Sequence, residues 1–170
     1  MDYVESGMDF SPIFQKNNSV YIEKSKFLGN LGEGIRTVEF LSIMPGNKLY
    51  FIEAKSSAPN PDNKVDFNKY CDELLEKMQH SLDLYVSKEL GVNKDSAMEF
   101  SGGFRELELA EYKIVFLLVI RKHKTEWCSD VLDGLQRKLI ALRKIWKLDV
   151  VVWNGEKAKE KRFISKLEGL

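Results

Sequence analysis

Cysteine and histidine are scarce in this chain, with two of each in 170 residues. Cys71 and Cys128 lie far apart in segments of helical pattern, and neither belongs to a Cys-x-x-Cys pair. His80 and His123 are equally isolated, so no ligand spacing matches a zinc site, and the expectation is two buried, reduced thiols. Long apolar runs are missing too. The longest, Ile114 to Ile120, falls well short of the roughly 20 residues a membrane-crossing helix needs, so no membrane partner is expected. The opening Met1-Asp2-Tyr3-Val4-Glu5-Ser6 shows no basic segment followed by an apolar one. A secretory signal is therefore not expected, and the cytoplasm is the expected location. Net charge is absent as well, since 26 basic side chains balance 26 acidic ones.

That balance conceals an uneven distribution. Asp62 to Glu111 holds 12 acidic and 6 basic residues, whereas Gln136 to Leu170 holds 10 basic and 4 acidic. A basic C-terminal third is able to meet a phosphate backbone, but solvated helix faces produce the same count. With 44% apolar and 31% charged residues, the composition is that of a globular protein able to bury a core, and the length suits one domain spanning residues 1–170.

Residues 1–18 contain Gly7, Pro12 and Asn17-Asn18 with no sustained period, and read as irregular or as a short helical turn. Ser19 to Glu23 is a possible short strand. Gly29, Gly32 and Gly34 mark a turn-rich link; no Lys-Ser/Thr pair follows them, so it is not a phosphate loop. Ile35 to Ile43 reads as a strand, Pro45-Gly46-Asn47 as a hairpin turn, and Leu49 to Ser57 as the returning strand. In Asp66 to Leu90, residues Phe67, Tyr70, Cys71, Leu74, Met78, Leu82 and Tyr85 recur every three or four positions, which predicts an amphipathic helix. Val92 to Glu111 is a polar connection. Lys113 to Arg121 is nearly continuously apolar, the pattern of a strand covered on both faces. Trp127 to Trp146 reads as a second long helix with both tryptophans in the core, Leu148 to Trp153 as a last strand, and Asn154 as the cap of a short terminal helix. Helices between the later strands require parallel crossovers, so the predicted fold class is α/β, a mixed sheet flanked by helices.

Within this order the strand Leu49 to Ser57 stands out. Its apolar run ends in Glu53 and Lys55, two residues apart and so on one face of the pleat. A carboxylate and an ammonium are costly to bury unless they serve each other, a metal or a substrate. Register decides whether Glu39 joins them. A three-residue loop pairs Met44 with Lys48 and puts Glu39 opposite Glu53; a two-residue Gly46-Asn47 turn sets Glu39 opposite Ala54, on the other face.

An acidic residue on one hairpin strand, followed by Glu-x-Lys on the next and then a helix, resembles the PD-(D/E)XK nuclease superfamily, the restriction-endonuclease-like fold. The resemblance rests on Val38-Glu39-Phe40-Leu41 and Phe51-Ile52-Glu53-Ala54-Lys55-Ser56-Ser57. It covers Ile35 to about Tyr85; later elements agree in type and order. The upstream acid is Glu39 rather than Asp, with no proline before it, and the Gln-x-x-x-Tyr motif of the exonuclease-like branches is absent. Many members carry a further acidic ligand near the N-terminus, for which Glu5 and Glu23 are the candidates here.

The resemblance implies a hydrolase that cleaves phosphodiester bonds with Mg2+ or Mn2+, acting on DNA in preference to RNA. It implies Glu39, Glu53 and the main-chain carbonyl of Ala54 as metal ligands. Lys55 would orient or deprotonate the attacking water and stabilise charge on the phosphorane, and Ser56 and Ser57 would bond substrate phosphate. Two alternatives stand beside it. Glu39, Glu53 and Lys55 can form a cross-strand ion-pair ladder, and members of the superfamily that have lost catalysis act as binding or assembly modules. Zero net charge suits such a module, or an enzyme whose protein partner or second copy supplies nucleic-acid affinity. The run Arg121-Lys122-His123-Lys124 is able to contact phosphates but also reads as a solvated loop.

Overall fold

The computed structural model describes residues 3–92, 100 and 102–167. Of the connection expected from Val92 to Glu111, residues 93–99 and 101 lie outside them, and the described part holds 3-10 turns over Gly102–Arg105 and Leu109–Glu111. The main sheet has five strands in sequence order, β3 (Ser19–Tyr21), β4 (Phe40–Met44), β5 (Lys48–Lys55), β6 (Lys113–Ile120) and β7 (Asp149–Asn154). The pairs β3–β4 and β4–β5 are antiparallel, whereas β5–β6 and β6–β7 are parallel. The fold class is therefore a mixed α/β sheet flanked by helices.

Strand β6 shows why the sheet is covered on both sides. Phe116 and Leu118 point into a core with Leu49 and Phe51 from β5, Leu74 and Met78 from α3 (Lys64–Glu89), and Val131 and Leu135 from α4 (Cys128–Lys138). Leu117 and Val119 point the other way, against Met8, Phe10 and Ile13 near the N-terminus and Ala158, Phe163 and Ile164 near the C-terminus. Each such side chain taken fully out of water contributes about 1.5–3 kcal/mol. The uninterrupted apolar run follows from this double burial.

Several elements differ from the expectation. Residues 3–18 hold the expected short helical turn, α1 (Ser11–Phe14), but before it β1 (Val4–Glu5) and β2 (Met8–Asp9) pair antiparallel where no element was expected. Ser6 and Gly7 both take positive φ, 51° and 72°, which is the backbone of a tight two-residue hairpin turn. Strands this short carry no readable period. The glycine-rich link contains α2 (Lys26–Leu31), begun by the Ser25 side chain, which accepts from the Leu28 N–H at 3.1 Å. It ends at Gly32 with φ 83°, a conformation that favours glycine.

The expected strand from Ile35 begins only at Phe40. Before it, the N–H groups of Arg36 and Val38 donate to His80 Nδ1 (3.1 Å) and Ser81 Oγ (2.9 Å) on α3. The segment thus spends its backbone donors on a helix instead of a neighbouring strand. The second long helix divides at Leu139 into α4 and α5 (Ile140–Trp146). Trp127 is not core: it ends a 3-10 turn before α4 and is 48% exposed, while Trp146 is only half-buried. Of the two thiols, Cys71 is buried and Cys128 half-buried, both free.

Asn154 does cap α6 (Gly155–Glu160), its side chain accepting from the Lys157 N–H at 2.8 Å. Among the described residues no helix is long and apolar enough to cross a membrane.

Candidate functional site

The β4–β5 hairpin adopts the three-residue register, with Met44 opposite Lys48 and Phe40 opposite Ile52. Gly46 and Asn47 make this turn possible with φ of 79° and 51°. One step beyond the ladder, Glu39 stands beside Glu53. Its Oε2 accepts from the Ala54 N–H at 2.9 Å, which fixes the carboxylate on the catalytic-strand candidate although Glu39 itself lies outside β4. Glu53 follows Leu49 and Phe51 on the face that meets α3, and it is fully buried. Those two apolar residues form the dry floor beneath it.

Lys55 leaves the same face two residues later. Its Nζ lies 3.1 Å from Glu53 Oε1 and 3.1 Å from Glu73 Oε1 on α3. The structure therefore brings Glu39, Glu53 and Lys55 together. Ser56 and Ser57 lie beyond the strand end and are exposed. Their side chains make no hydrogen bond among the described residues; the Ser56 carbonyl accepts from the Lys122 N–H at 3.1 Å.

Lys77 of α3 was not anticipated. It is only 6% exposed, and its Nζ lies 2.9 Å from Glu53 Oε1, 3.5 Å from Glu39 Oε1 and 3.4 Å from Glu23 Oε1. A signal was present: position 77 follows Leu74 by three and precedes Ser81 by four, which puts it inside the buried stripe. An ammonium on that stripe requires carboxylates on the strand it faces.

The N-terminal hairpin closes one side of the cluster. Ser6 Oγ donates to the Ala54 carbonyl at 3.1 Å. Carboxylate oxygens of Glu5, Glu23 and Glu39 all lie within 4.8 Å of one another, and Lys24 pairs with Glu5 at 2.7 Å. On the helix side, Arg36 pairs with Glu73 at 2.9 Å and Glu76 at 3.4 Å. Glu53 is sealed, whereas Glu23, Lys55 and Glu73 around it are partly exposed.

Electrostatics follow from this crowding. Burial, and then the neighbouring Glu53 charge, push the Glu39 carboxyl up to about 9, so it holds a proton at neutral pH. For Lys77, burial opposes the charged form, but Glu53, Glu39 and Glu23 outweigh it and its pKa is raised. Lys55 behaves alike: burial opposes charge, while Glu53 and Glu73 raise the pKa overall. Burial would raise Glu73, yet Lys55 and Arg36 hold it below the usual carboxylate range.

Chemically, the carboxylates whose oxygens stand close enough to share an ion are Glu5, Glu23 and Glu39; next to them lie Glu53, paired with Lys55 and Lys77, and the Ala54 carbonyl, bonded by Ser6. This donor set suits Mg2+ or Mn2+ and lacks the nitrogen and sulfur that favour zinc. The Ala54 carbonyl has a second lone pair beyond the one bonded by Ser6. Lys77 neutralises the same carboxylates that such an ion would bind. Comparison with protein-family models, curated proteins and solved structures finds no match to this chain.

Proposed function

We propose that this protein is a Mg2+-dependent nuclease with a restriction-endonuclease-like core of the PD-(D/E)XK type, hydrolysing phosphodiester bonds in DNA first and RNA second. The observation that carries the reading is the hairpin register, which sets Glu39 beside Glu53 and Lys55 on the α3 face of β5. Magnesium held by Glu39, Glu53 and the Ala54 carbonyl, with Mn2+ as its substitute, would neutralise the scissile phosphate and make a bound water more acidic. The residues themselves supply position and charge. Lys55, kept protonated by Glu53 and Glu73, acts as a hydrogen-bond donor that orients the attacking water and offsets charge on the phosphorane, not as the base. Leu49 and Phe51 exclude water from below, which strengthens every charge interaction above them. Ser56 and Ser57, exposed at the strand end, would bond substrate phosphate.

A second reading is supported by Lys77. An ammonium seated among Glu53, Glu39 and Glu23 satisfies those carboxylates without any metal, as in a nuclease-fold protein that has lost catalysis and binds nucleic acid or a protein partner. Cleavage of single- and double-stranded DNA and RNA in Mg2+ or Mn2+, compared between wild type and Lys55→Ala, separates the two. Loss of cleavage in the variant supports the enzyme; equal cleavage by both assigns it to another site, and none by either favours the module.

A further inference from the structure

The most basic run of the chain, Arg121-Lys122-His123-Lys124, is fastened to the end of β5. The Arg121 N–H donates to the Lys55 carbonyl at 2.9 Å, and the Lys122 N–H to the Ser56 carbonyl at 3.1 Å. The loop therefore starts one strand away from Lys55, at a distance set by the roughly 4.8 Å spacing of neighbouring strands. It leads directly to Trp127. An indole is a large apolar surface, and leaving it 48% exposed forgoes burial that a core position would supply.

The surroundings of Trp127 are built rather than bare. His123 meets it edge-on, ring centres 5.6 Å apart at 69°, and Lys124 Nζ lies over one face of the indole, 4.8 Å from the ring centre, so a stacked base takes the other face or displaces this ammonium. Trp127 and His123 stand between two open cavities of about 650 and 380 Å³. The larger lies beyond the carboxyl ends of β6 and β7 and the smaller beyond those of β5 and β6, the side on which parallel sheets present ligands. Lys122 lines both cavities, and Lys124 lines the larger one. Glu126 and Asp130 border the indole as well. Carboxylates repel phosphate but accept hydrogen bonds from the amino groups of bases.

We propose that Trp127 with Lys122 and Lys124 forms a binding subsite for single-stranded nucleic acid, stacking an unpaired base on the indole and holding the adjacent phosphates. A duplex hides its base faces in the stack and offers Trp127 nothing to cover, whereas an unpaired strand presents a π-face at every nucleotide. The subsite names the form of substrate that the proposed nuclease would accept and rests on that reading for its purpose, but binding is measured without any divalent ion.

The test is fluorescence anisotropy of labelled oligo-dT, oligo-U and a DNA duplex, each of about 12 nucleotides or base pairs to suit a short binding site, in excess EDTA. Trp127→Ala is expected to weaken single-strand binding by roughly 5- to 150-fold, leaving any duplex binding unchanged. Trp127→Phe, which keeps a stacking face, retains most of the affinity. Lys122→Ala with Lys124→Ala lowers affinity and reduces the slope of log K against log salt by about 1.4. Comparison of oligo-dT with oligo-U tells which sugar is preferred. Thermal melts check that each variant is folded, which is expected because all three side chains are exposed. The proposal is overturned if Trp127→Ala binds single strands as wild type does, if duplex binding falls equally, or if no oligonucleotide binds. Single-strand binding lost in Trp127→Ala, with no cleavage by wild type in Mg2+, would leave the subsite standing and remove the nuclease reading.

Discussion

Replacing Lys77 with methionine removes the ammonium from the acidic cluster while keeping an unbranched apolar stem of similar reach. Nζ of Lys77 lies 2.9 Å from Oε1 and 3.1 Å from Oε2 of Glu53, a residue with no exposure. Breaking a buried pair by deleting one partner costs about 3–5 kcal/mol, because the other charge stays buried and uncompensated. Here the loss is not complete. Lys55 remains 3.1 Å from Glu53, and Glu39 carries a proton at neutral pH. The expected cost therefore sits at the lower end, about 3 kcal/mol. In a domain of this size that corresponds to roughly 6–12 °C in Tm. Urea and thermal denaturation followed by circular dichroism measure it. The double variant Lys77→Met with Glu53→Gln removes both partners, so it should be less destabilised than the sum of the two single changes, with a coupling of about 1–3 kcal/mol. A Lys77→Met protein as stable as wild type, or additive losses in the double variant, would refute the claim that this ammonium holds the cluster together.

The pH dependence of stability tests Glu39. Its carboxyl titrates near 4.5 when unfolded and about 9 when folded, so across that window the native state holds a proton that the unfolded chain has released. Stability from this group therefore falls as pH rises from about 5 to 9, with a slope no steeper than about 1.4 kcal/mol per pH unit; Glu39→Gln should flatten that decline in urea titrations run at several pH values. Glu73 and Asp9 have lowered pKa values, so their stabilisation is present above the ordinary carboxylate pKa and is lost as pH falls through the folded values; the acid side of the curve should survive in Glu39→Gln. Gly134→Ala sets helix propensity against packing. Alanine gains about 1 kcal/mol in a helix interior, but its Cβ would stand 2.6 Å from Phe67 Cζ, and forcing α3 from α4 costs about 1–3 kcal/mol. A net loss of stability on chemical denaturation is expected, and a stabilised variant would show that the contact yields freely.

Much of the sheet was legible because burial leaves a periodic trace. The run at β6 and the stripe Phe67, Cys71, Leu74, Met78, Leu82, Tyr85 each answer to one rule, alternation across a covered sheet or recurrence along one helix face. The Pro45-Gly46-Asn47 turn made the register a choice between two geometries, and with it the position of Glu39. What stayed hidden was either short or relational. The hairpin β1–β2 and helix α2 span too few residues for a period, although Ser6-Gly7 and Ser25 with Gly32 mark their ends. Trp127 matches the helical spacing of α4 but belongs to the turn before it, so the same spacing led outward. Lys77 is ordinary as one charge among many on an acidic helix; its meaning comes from the carboxylates that β5 and the Glu23 segment bring against it, a tertiary fact. Glu5 and Glu23 became neighbours of Glu39 only once the N-terminal hairpin packed beside β5.

Calorimetric titration of Mg2+ and of Mn2+ into wild type, Glu39→Gln and Glu53→Gln asks whether the carboxylates at the end of β5 form a metal site or only a buried ion-pair cluster. Saturable uptake by wild type is expected, lost in Glu53→Gln and strongly weakened in Glu39→Gln, with all three proteins folded. No uptake by wild type, or uptake by Glu53→Gln with unchanged affinity and stoichiometry, would contradict a metal site there.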